Sequence, residues 1–172
     1  MSTTQRLRDA FDRMDHVFSK RPAAALETNV ARALVVAGAH CEVVESGWRF
    51  AMDLPSDTGG TDAGPTPGVH GRAALAGCLA MGYSVQLARA GIEPRSIEVE
   101  VEADSDHRGM LGLTDRPGYL ALRHTLYLDC DAPRDVVQQA IERAERLSPY
   151  LSMFRAAQPV CGRVVFTPRV LP

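Results

Sequence analysis

Along the first twenty residues the hydrophobic positions recur at helical spacing. Leu7, Ala10, Phe11, Met14, Val17 and Phe18 share one face, which predicts an amphipathic helix over 4–19, capped by Thr3 or Thr4 and ended by Pro22. Residues 28–37 and 40–54 instead alternate apolar and polar side chains. With Gly38 and the Ser46-Gly47 pair as punctuation, they predict a three-stranded antiparallel meander. The Gly, Pro, Asp and Thr of 55–68 (PSDTGGTDAGPTPG) predict a loop.

The pattern changes at 69–91 (VHGRAALAGCLAMGYSVQLARAG). No charge lies between Arg72 and Arg89, and alanine, glycine and serine dominate. A helix that is apolar all round is expected to be buried on every side, and small residues let neighbouring backbones come close. Gly91 is its expected left-handed end. Strands follow at 96–104 and 119–129, joined by a polar turn over 106–118. In the first of them Ile97, Val99, Val101 and Ala103 face one way and Glu98, Glu100 and Glu102 the other. Asp131 is read as the cap of a helix over 132–147, with Val136, Val137, Ala140, Ile141, Ala144 and Leu147 as its stripe. Pro149 interrupts it, a short helix spans 150–157, and GRVVFTPRV (162–170) reads as a closing strand. The fold class is therefore α+β, in one domain. Residues 1–22 form a helical extension to a core over 28–168. One small sheet cannot cover such a helix, so a second copy of the chain is expected to supply the rest, as a homodimer.

Composition narrows the classes. The chain has 172 residues, 45% hydrophobic and 23% charged, enough for one globular core. A formal net charge of −2 gives no electrostatic ground for a nucleic-acid or anionic-membrane partner. Of the 19 basic residues all but Lys20 are arginine, and they are dispersed. No run of 18 apolar residues exists to span a bilayer, and the charged N-terminus lacks the apolar stretch of a secretory signal, so the expected location is the cytoplasm.

Candidate chemistry is sparse. Cys41, Cys78, Cys130 and Cys161 form no CxxC or Cys/His ligand pattern, and His16, His40, His70, His107 and His124 show no helical pairing. No metal or other cofactor is expected, and the thiols should be free. Neither a phosphate-cradling GxxxxGK[ST] nor a GxSxG occurs. That leaves Cys78, on the apolar helix, as the candidate reaction centre. Burial among Ala74, Leu75, Leu79 and Ala80 would by itself raise its pKa and silence it, so reactivity needs a donor or cation from elsewhere in the fold. Otherwise it is a small core residue. His70 and Arg72, in the first turn of the helix, are candidate cations for an anion or a thiolate; a solvated helix start is the plainer account of them. Cys41, Cys130 and Cys161 read as structural.

Three pieces taken together resemble one family. They are Asp53-Leu54-Pro55 with Gly59-Gly60 and Gly64-Pro65-Thr66-Pro67; the alanine-rich helix with Cys78 eleven residues after Pro67; and the helix–turn AERLSPYLS at 144–152. In combination, over 28–168, the chain resembles the OsmC/Ohr proteins, the osmotically inducible and organic-hydroperoxide-resistance proteins. The resemblance implies an intertwined homodimer with two central helices between sheets and a thiol peroxidase site at the subunit boundary. In active members the cysteine matching Cys78 is oxidised by an organic hydroperoxide to a sulfenic acid. A second cysteine then closes a disulfide, which a dithiol reductant opens. A glutamate just after the loop proline and an arginine from an early strand hold the thiolate.

This sequence departs from that pattern. Ser148 stands immediately before Pro149, where the second cysteine belongs, and Gly68 and Val69 occupy the glutamate position. Arg32 is the candidate for the arginine. The two-cysteine cycle cannot run between positions 78 and 148, because a hydroxyl forms no disulfide. One reading keeps Cys78 as a one-cysteine peroxidase or sensor, resolved by an external thiol or by Cys161, with His70 or Arg72 replacing the glutamate-centred network. A second makes the chain a binding module for a small hydrophobic or acyl ligand beside Cys78, lined by Met81, Tyr83, Tyr150, Met153 and Phe154. A third is a dimeric stress protein whose surface binds another protein.

Overall fold

A computed structural model describes residues 1–166. Its elements run α1 (Thr3–Lys20), β1 (Ala31–Ala37), β2 (His40–Glu45), β3 (Trp48–Met52), α2 (Pro67–Arg89), β4 (Ser96–Ser105), β5 (Tyr119–Asp129), α3 (Arg134–Leu147) and α4 (Pro149–Arg155), with 3-10 turns at Pro22–Ala25 and Ser56–Thr58. The strands form two separate antiparallel sheets, β1-β2-β3 and β4-β5. The α+β class read from the sequence is the class observed.

The β4–β5 hairpin is the floor of the core. Its register pairs Val99 with Leu126 and Val101 with His124, so the expected alternation holds: Ile97, Val99, Val101, Leu122 and Leu126 turn inward. They pack on Leu75, Leu79 and Tyr83 of α2, which also meet Ala144 of α3 and Leu151 of α4. A second cluster joins Leu87, Ile92 and Ala140. Each fully buried large apolar side chain contributes about 1.5–3 kcal/mol. On the outer face Arg123 pairs with Glu102 and Asp104, which ties the two strands across the ladder.

Helix α2 begins at Pro67, two residues earlier than the sequence pattern indicates. Thr66 is its N-cap and accepts the Val69 N–H at 3.4 Å, and Pro67 at the first position needs no amide partner. Its end is as expected. Gly91 has φ +77°, and the Gly91 and Ile92 amides return to the Ala88 and Leu87 carbonyls at 3.0 and 2.9 Å, the Schellman arrangement. Burial on every side is not observed within one chain. Met81 is 67% exposed, because α1, α3, α4 and β4 together leave part of the helix uncovered.

The three-stranded sheet turns at Ser46 and Gly47, both at positive φ, the geometry of a tight two-residue hairpin. Every residue of β1 is exposed, including Leu34, Val35 and Val36, as is Trp48 on β3. The sheet shares no extended interface with α2 or with β4–β5. It is tied to the rest through the following loop, which Asp53 organises. Asp53 is buried; its Oδ2 accepts the Thr61 N–H (2.9 Å), the Thr61 hydroxyl (2.7 Å) and the Ala63 N–H (3.2 Å), and its Oδ1 accepts the Leu54 N–H (2.8 Å). Gly60 is required here, since a Cβ would fall 1.8 Å from the Leu54 carbonyl oxygen.

Other expectations change in detail. The cap of α1 is Ser2, whose Oγ accepts the Gln5 N–H at 3.2 Å, rather than Thr3 or Thr4. Asp131 does not cap α3: that helix starts at Arg134 after Pro133, and the Asp131 carboxylate pairs with Arg95 instead. The closing strand is not formed over residues 162–166, and its remainder, 167–170, lies outside the described residues.

Candidate functional site

Cys78 and Ser148 meet where α2 crosses the break between α3 and α4. Helix α3 ends at Leu147. Ser148 takes an extended conformation, and Pro149 opens α4. Serine before proline is a helix N-cap in waiting: the Ser148 Oγ accepts the Leu151 N–H at 3.2 Å. The same oxygen stands 3.5 Å from the Cys78 Sγ. Ser148 is 5% exposed and Cys78 half-buried, so the sulfur is not sealed in hydrocarbon. With a neutral thiol either group can donate. With a thiolate only the serine can, and its hydroxyl hydrogen is free to do so because the Leu151 amide occupies a lone pair.

One turn beyond, a second polar group is built into the apolar core. The Tyr83 hydroxyl donates to Glu145 Oε1 at 3.1 Å, and His124 Nε2 lies 3.4 Å from the same oxygen. Tyr83 is fully buried, and burial first, then the Glu145 charge, pushes its phenol well above the ordinary value. The sequence reading did not connect these three residues, which come from α2, α3 and β5. Nothing in local spacing signals the contact.

The other candidates stand apart from the sulfur within one chain. Arg72 precedes Cys78 by six positions on α2, about 9 Å along the axis and well round the helix. It borders a cleft of about 980 Å³ that does not include Cys78. His70 is about 12 Å from Cys78 along the axis. Its ring lies tilted on Phe50 of β3, centroids 5.1 Å apart, with Nε2 buried and unpartnered. Arg32 is exposed on β1, opposite Val44. Gly68 and Val69 fall in the first turn of α2, and the Gly68 carbonyl accepts the Tyr119 hydroxyl at 3.2 Å. Cys161 is exposed, beyond the end of α4, and all four cysteines are free. Of the proposed cavity lining, Tyr83 is core, whereas Met81, Met153 and Phe154 are exposed. No cluster of three or more His, Cys, Asp or Glu suited to a metal occurs among the described residues, and none of their helices is long and apolar enough to cross a membrane.

The architecture has known counterparts. The OsmC-like protein of Mycoplasma pneumoniae superposes with a TM-score of 0.64 at 11% identity, over 76% of this chain and 89% of that one. An organic hydroperoxide resistance protein OsmC from Legionella pneumophila gives 0.56 at 18%, over 76% and 90%. An organic hydroperoxide resistance protein from Elizabethkingia anophelis gives 0.53 at 20%, over 77% and 91%. At these identities the likeness is one of fold. No curated protein matches the chain in sequence. The sequence pattern of the family described as OsmC-like protein matches residues 59–161, which hold the glycine-rich loop, Cys78 and Ser148. That is more than half of its length, and the chain belongs to the OsmC-like protein family.

Proposed function

We propose that this protein reduces organic hydroperoxides through Cys78 alone, with an external thiol completing the cycle. The observation that carries the reading is the 3.5 Å approach of the Ser148 hydroxyl to the Cys78 sulfur. The thiolate attacks the terminal peroxide oxygen, the S–O bond forms as the O–O bond breaks, and the alkoxide takes a proton and leaves as the alcohol. Ser148 donates to the thiolate before this step and cannot close a disulfide after it. An incoming thiol then condenses with the sulfenic acid and releases water. A second thiol frees Cys78 and carries away the disulfide. The organic-hydroperoxide-resistance names of the Legionella and Elizabethkingia proteins support this substrate class.

The same reading takes the protein to be a homodimer working in a reducing cytoplasm. Support for the dimer is the apolar surface that one chain leaves uncovered on β1, on Trp48 and on Met81. In such an assembly Arg32, His70 or Arg72 of a second copy is the candidate cation for the thiolate. The test is stopped-flow oxidation with cumene hydroperoxide, with the sulfenic acid trapped by dimedone. The wild type should react far faster than free cysteine and yield a single adduct at Cys78, and Cys78→Ser should yield none. A rate no greater than that of free cysteine overturns the reading.

A second reading, binding of a small hydrophobic ligand beside Cys78, draws support from one relative. A Vibrio cholerae protein of this fold (TM-score 0.53, 16% identity) carries captopril in one of its active sites. Native mass spectrometry of the freshly purified protein tests it; an unliganded mass and no ligand-induced thermal shift would count against it.

A further inference from the structure

Three side-chain pairings mark the crossing of α2 and α3, and they show the two helices to be antiparallel. Cys78 meets Ser148 with Sγ and Oγ 3.5 Å apart, a Cβ on Gly82 would stand 4.0 Å from the Ala144 Cβ, and the Tyr83 hydroxyl donates to Glu145 Oε1 at 3.1 Å. As the residue number rises on α2 it falls on α3. The thiol–hydroxyl contact is thus one rung of a short ladder whose other polar rung is Tyr83–Glu145.

Glu145 is tied at both ends. Its side chain accepts the Tyr83 hydroxyl from α2, and His124 of β5 brings Nε2 to 3.4 Å from the same oxygen. Its main-chain carbonyl accepts the Ser148 N–H at 3.4 Å, where the chain leaves α3. The cap on Leu151 aims the Ser148 hydroxyl relative to α4, but it does not fix where that turn stands relative to α2. The contact with sulfur is a weak tie, because thiols donate and accept poorly. Tyr83 is a strong one: it is fully buried, and a core hydroxyl without its acceptor carries the whole desolvation penalty.

We propose that Glu145 is a positioning residue for the thiol site: clamped by Tyr83 and His124, it sets the last turn of α3 and so holds the Ser148 hydroxyl against Cys78. An ionised carboxylate only accepts, so Tyr83 and His124 both act on it as donors, one from the helix that bears the thiol and one from the sheet beneath. The functional consequence rests on the one-cysteine peroxidase reading; the geometry does not.

Two measurements on the full chain test it. The first needs no peroxide. Ser148→Cys is equilibrated in a glutathione redox buffer, where glutathione disulfide takes two electrons and two protons from the thiols at 78 and 148, leaving the protein disulfide and two glutathione thiols. Adding Tyr83→Phe should lower that equilibrium constant by about tenfold, the loss of a hydrogen bond to a charged group. Glu145→Gln, which keeps an acceptor for Tyr83, should lower it less than Glu145→Ala. The second measurement is the rate of Cys78 oxidation by cumene hydroperoxide. Tyr83→Phe should slow it in the wild-type background but not in Ser148→Ala, because both changes act through one hydroxyl; a merely structural role would slow both backgrounds alike. An unchanged disulfide constant in Tyr83→Phe, or rate losses that add in the double variant, would overturn the proposal. A falling disulfide constant in a protein no faster with peroxide than free cysteine would remove the peroxidase reading and uphold the positioning.

Discussion

Seventy positions separate Cys78 from Ser148 in the chain, yet their Sγ and Oγ atoms stand 3.5 Å apart. The serine is held there by a second obligation, as the cap that accepts the Leu151 amide. Its geometry is therefore set by the start of α4 and not by the sulfur.

Ser148→Cys should turn this contact into a bond. An S–S distance of about 2.05 Å needs only a small closure from the existing approach. One equivalent of peroxide should lower the mass of this variant by two hydrogens and protect positions 78 and 148 from alkylation together. If both thiols stay alkylatable after oxidation, the pair is not aligned as described.

Ser148→Ala removes both functions of the hydroxyl. Loss of the cap should cost about 1 kcal/mol of stability. Loss of the donor to the sulfur should slow peroxide oxidation of Cys78 by about tenfold, within the usual worth of a hydrogen bond to a charged group. A variant that melts lower but is oxidised at the wild-type rate would leave Ser148 a cap and nothing more.

Asp53 predicts an acid-sensitive loop. The Thr61 hydroxyl, followed by the Thr61, Ala63 and Leu54 amides, draws its pKa down from 3.8 to about 2. A carboxylate with a folded pKa below its unfolded one stabilises the fold above the unfolded value, and that stability fades as pH falls from about 4 towards 2. Limited proteolysis should cut the 53–66 loop increasingly over this window. In Asp53→Asn the loop should be cleaved readily even at neutral pH. Equal cleavage of the two proteins at pH 7 would contradict the role given to Asp53.

Tyr83 sets the opposite limit. Its phenol is held neutral by burial and by Glu145, so the folded pKa lies above the unfolded value of 10.0. The sign is that of a raised group: the stabilisation is complete below pH 10 and is lost as pH climbs through the folded value. Ultraviolet titration to pH 11 should therefore give the same phenolate signal for wild type and Tyr83→Phe while both remain folded. A signal smaller by one tyrosine in the variant would show Tyr83 ionising with the rest.

Leu34, Val35, Val36 and Trp48 lie exposed on the first sheet. If a second copy covers them, the melting temperature should rise with protein concentration, by mass action. Light scattering should then give twice the chain mass at micromolar concentration. A monomer whose melting temperature is independent of concentration would remove the dimer from the proposed function.

Periodicity made most of the fold legible. The inward row Ile97, Val99, Val101 and the mixed polarity of α3 both fall where alternation and the helical stripe put them. Misreadings came where two local explanations competed for one residue. Asp131 suits a helix cap, but Pro133 fixes the backbone that starts α3, and Arg95 claims the carboxylate. The site was half legible. The uncharged helix singled out Cys78 and the family resemblance the serine before Pro149, but the sequence could present Ser148 only as a missing thiol. Its contact with the sulfur, like the meeting of Tyr83, Glu145 and His124, is made by helices and strands far apart in the chain, and local pattern carries no record of that.

Helix α1 lies outside the family's matched segment, and none of its residues is fully buried. Its hold on α2 combines a half-buried apolar edge with two charge pairs, Arg89 to Asp12 at 3.2 Å and to Asp15 at 2.7 Å. Pairs this exposed are screened by salt, whose reach shortens from about 10 Å at 0.1 M to about 3 Å at 1 M. Brine is then an agent that should loosen the leading segment, and Arg89 is the rivet that would give first.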